Sequence, residues 1–247
     1  MSATTSVLTA TRAALVAISH GTSSPSGQAA VAGLVDAVGA SLPSIAVEGG
    51  FVDVQQPDVA ATLERLDGDR PTVIVPLLLS AGFHVHVDLV NEAEASGRVT
   101  AISRALGPDD RLVAVLGRRL GESGLTDRDA VVLCAAGSTD PRAVDDCRET
   151  AARLGRLLRR RVTVGFISAA EPPIESAVAE ARLAHPGSRV VVSTYLLAPG
   201  YFADLAHDTS AEVATPPLLI DGQDAPAELI EIVRDRYLDV LAGTDLP

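Results

Sequence analysis

The sequence predicts an α/β protein made of two tandem domains, each a parallel sheet with helices on both faces, related to one another by internal duplication. Three observations carry that prediction. Short aliphatic runs alternate with stretches of helical length, which is the order of βαβ units joined by right-handed crossovers. Hydrophobic residues make up 47% of the chain but aromatics only 3%, so the core is built from Ala, Val and Leu, the filling of sheets covered on both sides. The second half of the chain then repeats landmarks of the first in the same order.

Taken in order, "AALVAIS" (13–19) reads as the first strand, and a helix follows over 27–41, with Ser23, Ser24 and Ser26 as its turn and N-cap residues. "IAVEGGFVD" (45–53) is the second strand and 57–66 the second helix. "TVIVPLLL" (72–79) is the third strand, a helix is expected over 86–105, and "RLVAVLG" (111–117) reads as a fourth strand. The polar, Gly-containing stretch "GRRLGESGLTDRD" (117–129) suits a linker, which divides the chain into domains at 1–118 and 129–247. Beyond it come "AVVLCAA", "RVTVGFIS", "SRVVVSTYLLA" and "ATPPLLI" as strands separated by helices, and a last helix over 224–241.

Composition removes several function classes. The formal charge is −12 and all 20 basic residues are Arg, so a basic groove for nucleic acid is not expected, and any anionic ligand needs local Arg side chains or backbone N–H groups. Two cysteines, Cys134 and Cys147, are too few for a disulfide framework or a thiolate zinc site, and Cys134 lies in an apolar run that reads as core. The first dozen residues lack the apolar segment of a signal peptide, and no run approaches the roughly 18 apolar residues that cross a bilayer. The expectation is a cytoplasmic protein without membrane contact, and a monomer, since the duplication supplies both halves.

The repeat shows where chemistry sits. "ISHGTSSP" (18–25) meets "CAAGSTDP" (134–141), "GFVDVQQP" (50–57) meets "GFISAAEP" (165–172), and "PLLLSAGFHVHVDL" (76–89) meets "TYLLAPGYFADLAH" (194–207), at offsets of 115 to 118 residues. The glycines and prolines persist while the polar groups change: His20 faces Ala136, Asp53 faces Ser168, His84 faces Phe202, His86 faces Asp204 and Asp88 faces Ala206. A lone His is ordinarily a hydrogen-bonded structural residue. Here one copy of the fold does without the histidines that the other carries.

His20, Asp53 and His84 each follow a strand, and in a parallel sheet functional groups gather at the carboxyl ends of strands. Two imidazoles and a carboxylate suit a borderline divalent ion such as Fe2+, Co2+, Ni2+ or Zn2+, whereas Mg2+ favours oxygen donors and Cu(I) sulfur. If a helix starts after Gly82, Asp88 lies four residues past His84 on the same face and can accept from the imidazole N–H; His86 stands elsewhere on that helix. His185, before Pro186, and His207, on a late helix without mates, read as structural or solvated. "SHGTSSPSG" fits neither the Walker pattern nor G-x-G-x-x-G, and the G-x-S-x-G elbow of serine hydrolases is absent.

"ISHGTSSPSG", "GGFVDVQQP" and "PLLLSAGFHVHVDL" together resemble the three motifs of the sirohydrochlorin chelatases, class II cobalto- and ferrochelatases that insert Co2+ or Fe2+ into a tetrapyrrole without ATP. The resemblance covers nearly the whole chain in the two-domain form. It implies two chelatase-like domains, a cleft for the tetrapyrrole between them, and His20 and His84 as the metal-binding and catalytic pair, set in turns formed with Gly21 and Gly82. It implies no cofactor beyond the substrate metal, with Ni2+ or Zn2+ as substitutes in vitro. Many members carry Glu where this chain has Asp53, so Asp53 departs from the pattern as a direct ligand. Two other readings use the same features: a non-catalytic divalent-metal binding or delivery protein, and a periplasmic-type two-domain solute binder, which the missing export signal disfavours.

Overall fold

Aliphatic alternation decides how each strand is used. In β1 (Ala14–Ser19), Ala14, Val16 and Ile18 enter one core while Leu15 and Ala17 enter another, so both faces of the strand are buried. A strand apolar on both faces can only sit inside a sheet covered twice, and every ladder in the protein is parallel. The computed structural model describes residues 13–66, 70–80 and 82–243, without the side chains of 83–86 and 88.

The first half runs β1, α1 (Pro25–Ser41), β2 (Val47–Phe51), α2 (Val59–Glu64), β3 (Thr72–Pro76), α3 (Phe83–Ala95), β4 (Thr100–Ile102) and α4 (Asp110–Glu122). The second runs β5 (Ala130–Ala135), α5 (Pro141–Leu158), β6 (Val162–Phe166), α6 (Ile174–Ala184), β7 (Val190–Tyr195), α7 (Tyr201–His207), β8 (Val213–Ala214) and α8 (Ala227–Gly243). Their sheets have the orders β2-β1-β3-β4 and β6-β5-β7-β8. Two α/β domains of one topology therefore stand in tandem, as expected.

Two expected elements are corrected. The segment read as a strand, "RLVAVLG", lies in α4: its buried residues Leu112, Val113, Val115, Leu116 and Leu120 recur at helical spacing, and the Asp109 carboxylate caps the helix by accepting from Arg111 N. The helix expected over 86–105 ends at Ala95, where Ser96 and Gly97 (φ 66°) close it, and the chain returns as β4. The last strand of the second half is short for a related reason. After Thr215 donates to Val192, Pro216 and Pro217 offer no N–H to the ladder.

The halves exchange their last helices. α4 packs against β7 and α5 of the second half, while α8 packs against β3 and α1 of the first. One core cluster consequently runs through both, from Leu15 and Leu34 to Leu133, Ile232 and Tyr237. Two buried arginines cross this seam in matching ways: Arg119 of α4 donates to the Leu218 carbonyl (3.1 Å), and Arg236 of α8 donates to that of Leu106 (2.7 Å). Arg236 also reaches Ala105 O and the Asp109 carboxylate. Removing one buried guanidinium strands the carbonyls and the charge it serves, a loss of about 3–5 kcal/mol in such pairs. The segment between the halves is fixed as well, because Arg160 donates to Thr126 O and Asp129 O, and Arg189 forks onto the Asp129 carboxylate.

Candidate active site at the carboxyl ends of β1 and β3

In a sheet of order β2-β1-β3-β4 the connections leave β1 in opposite directions, and the crevice opens where that order reverses, beyond the ends of β1 and β3. The two strands are neighbours, in register from Ala14 with Thr72 to Ile18 with Pro76, and Leu77 N continues the ladder onto Ile18 O (2.7 Å). His20 is the first residue beyond Ser19 at this edge. Its side chain is exposed and has no hydrogen-bond partner among the described residues, so both ring nitrogens are open to a ligand.

The turn that presents His20 is held from below by the loop after β2. Val52 N donates to Ser19 O (2.9 Å) and Asp53 N to His20 O (3.1 Å), and Thr22 N donates to the Gln55 side chain (2.8 Å). Gly21 has φ 97°, and a Cβ there would overlap the Asp53 carbonyl oxygen, so the close approach of the two loops requires glycine. Downstream, the Ser24 side chain caps α1 at Gly27 N and touches the Ser26 hydroxyl (3.0 Å), the roles expected of these serines.

The second half builds the same turn without the imidazole. Gly137 has φ 98°, a Cβ there would overlap the Ser168 carbonyl oxygen, and Ser168 N donates to Ala136 O (3.0 Å). Val54 (φ 65°) and its counterpart Ala169 (φ 54°) share the unusual backbone as well. That strain belongs to the scaffold, since it persists where no candidate ligand remains. His20 is thus an addition to a turn that closes equally well around Ala136.

Asp53 is exposed, and its Oδ1 accepts from Val54 N (2.7 Å), so part of this carboxylate is spent on its own turn. His84, His86 and Asp88 lie in the first two turns of α3, whose N-cap is Gly82, and their side chains fall outside the described residues. Among the described residues no group of three or more His, Cys, Asp and Glu side chains converges as a metal cage. His185 and His207 are exposed elsewhere, the latter 4.0 Å from Asp208. Cys134 and Cys147 are buried, and burial pushes both thiols up to about 12, which keeps them protonated and inert. Two shallow depressions, one between α3 and β4 at Val90 and Ile102, one beside β6 at Thr163 and Pro172, lie away from the strand ends.

The structure adds a contact that the sequence did not suggest. Tyr195, at the end of β7, donates from its hydroxyl to the Leu79 carbonyl (2.9 Å), on the segment between β3 and α3. The same hydroxyl lies 3.4 Å from that of Thr150 on α5. The second half therefore braces the stretch that leads to His84. No sequence signal marks this, because Tyr195 sits inside a β-branched strand and reads as core. Among the described residues no helix is long and apolar enough to cross a membrane.

Comparison with known proteins follows the duplication. The CbiX family model matches the chain twice, over residues 14–123 and 130–239. Among solved structures, SirB from Bacillus subtilis with Fe3+ is similar at 21% identity and a TM-score of 0.74, over 94% of this chain and 96% of that one. The sirohydrochlorin chelatase SirB from Bacillus subtilis subspecies spizizenii in complex with cobalt is similar at 18% identity and a TM-score of 0.74, over 95% and 97%. CbiX, described as the terminal enzyme for biosynthesis of siroheme in denitrifying bacteria, is similar at 20% identity and a TM-score of 0.63, over 90% and 98%. No curated protein sequence matches. At these identities the structural likeness establishes the shared two-domain fold.

Proposed function

The chain belongs to the CbiX family, and we propose that it is a chelatase inserting a divalent metal, Co2+ or Fe2+, into sirohydrochlorin or a related tetrapyrrole without ATP, for sirohaem or cobalamin synthesis. The observation that carries this reading is the asymmetry of two matching turns: Gly21 and Gly137 adopt the same conformation over the same hydrogen bonds, yet only the first presents an imidazole. A group that the turn does not need, left exposed at a topological switch point, is kept for a ligand. Similar structures described as holding Fe3+ or cobalt support the choice of metals.

The reaction exchanges two pyrrole N–H protons for one divalent ion, so charge balances when both protons leave. The site must accept protons near neutral pH and hold the ion loosely enough to release it. Imidazole does both, as a base and as a borderline nitrogen donor. Two His donors leave coordination positions open for water and then for pyrrole nitrogen, whereas a closed tetrahedral site would retain the metal. In this reading His20 and His84 bind the ion and take up the protons. Asp88 orients His84, Asp53 shapes the turn under His20, and the protein works as a cytoplasmic monomer whose second half contributes surface.

The test is anaerobic insertion of Co2+ or Fe2+ into sirohydrochlorin, followed by absorbance. The His20→Ala, His84→Ala double variant is expected to lose at least about 100-fold in rate, the scale of a lost general base. Wild-type rates in that variant would remove the site. Stoichiometric metal retention by the wild type, with no spectral change in any tetrapyrrole, would favour a delivery protein.

A further inference from the structure

The chain has three Tyr, four Phe and no Trp. Among the described aromatic side chains, Phe166, Tyr195 and Tyr237 are buried and Phe51 is half-buried. Tyr201 and Phe202 depart from this use: they are 70% and 37% exposed, next to one another at the start of α7, with ring centroids 6.0 Å apart and planes inclined at 47°. A chain so poor in aromatic residues that leaves two adjacent rings in solvent does not need them for its core.

Their position connects them to His20. The loop before α7 rests on the start of α1, where Gly200 approaches Thr22 and Ser24 and the Pro199 carbonyl fills the space a Cβ on Gly27 would need. The residue equivalent to Gly27 in the second half is Ala143, so glycine stands only where the loop of the other half sits on the helix. Thr22 lies two residues past His20 and Phe202 two residues past Gly200, so each is within about 7 Å of chain of this contact. In the duplication, Tyr201 and Phe202 occupy the positions of Phe83 and His84.

We propose that Tyr201 and Phe202 form a stacking wall for the conjugated face of the tetrapyrrole, positioning the macrocycle beside His20. This rests on the chelatase reading. The physical reason lies in the charges. The chain carries −12 and the substrate's carboxylates are anionic, so long-range electrostatics oppose their approach. A ring face contributes affinity that does not depend on charge, and holding the macrocycle by one face leaves its pyrrole nitrogens open to the metal on the other. The two halves then divide the work: the first copy keeps proton acceptors where the second has exchanged them for a surface.

The experiment is titration of the wild type and of a Tyr201→Ala, Phe202→Ala variant with metal-free sirohydrochlorin, read by absorbance, with Co2+ alone titrated in parallel. The variant is expected to bind the tetrapyrrole about 10- to 100-fold more weakly, with KM rising to match and kcat at saturation unchanged within about threefold. Co2+ binding stays at the wild-type value. The swapped pair, Tyr201→Phe with Phe202→Tyr, keeps wild-type affinity, while Tyr201→Leu with Phe202→Leu, which retains apolar bulk, remains weak. Equal affinity in the alanine or leucine variants would overturn the wall and leave the chelatase reading standing. A wild-type protein that neither binds nor metallates sirohydrochlorin would overturn the chelatase reading itself.

Discussion

Replacing Tyr195 by Phe removes one oxygen from a side chain that is 2% exposed and tests whether the second half holds the His84 segment in place. The hydroxyl donates to Leu79 O at 2.9 Å and is the only donor recorded to that carbonyl among the described residues. Burial raises the Tyr195 phenol well above its ordinary range, so it remains a protonated donor at any pH of interest. Leaving a half-buried carbonyl without its donor costs about 1–2 kcal/mol. For a chain of this length that lowers Tm by roughly 2–8 °C. If the same free energy is expressed in the local ordering of residues 77–82, the competent geometry becomes about 5- to 30-fold less populated. The assay is thermal unfolding together with Co2+ insertion at a temperature where the variant is fully folded. A lowered Tm with a rate within twofold of wild type would show that the contact serves stability alone. An unchanged Tm would refute the hydrogen-bond reasoning outright.

Two other perturbations use the internal duplication and the linker. Gly21→Ala and Gly137→Ala impose the same positive φ and the same overlap with a carbonyl oxygen, so both are expected to lose at least about 2 kcal/mol, or roughly 4–8 °C in Tm. Only Gly21→Ala should also lower the insertion rate under folded conditions; equal rate losses at both positions would contradict the assignment of the site to the first half. The Arg189 guanidinium beside Asp129 pulls its carboxyl down to about 2, below the value of about 3.9 in an unfolded chain. Its contribution to stability is therefore full above pH of about 4 and is lost as pH falls toward 2. Urea midpoints of wild type and Asp129→Asn should differ by a constant amount at neutral pH and converge in acid; a difference as large at pH 2 as at pH 6 would refute the pairing.

The periodicities made most of the fold legible. Strands buried on both faces read as aliphatic runs, and the serine-rich cap of α1 followed from residue type, because those signals are local and a few residues carry them. "RLVAVLG" misled because a short apolar run fits strand or helix, and its helical stripe shows only when Asp109 and Leu120 are counted with it. The turn glycines and His20 were visible because the chain holds its own control, a second copy in which Gly137 remains and the imidazole does not.

By itself, then, the sequence determined the α/β class, the duplication and the half that carries imidazoles, all properties of spacing along one chain. Only the tertiary structure decided that α4 and α8 trade partners, that Tyr195 grips Leu79, and that Tyr201 and Phe202 share a rim with His20. Those contacts join residues more than a hundred positions apart. Their free energy depends on how two sheets pack around a common core, which no local pattern encodes.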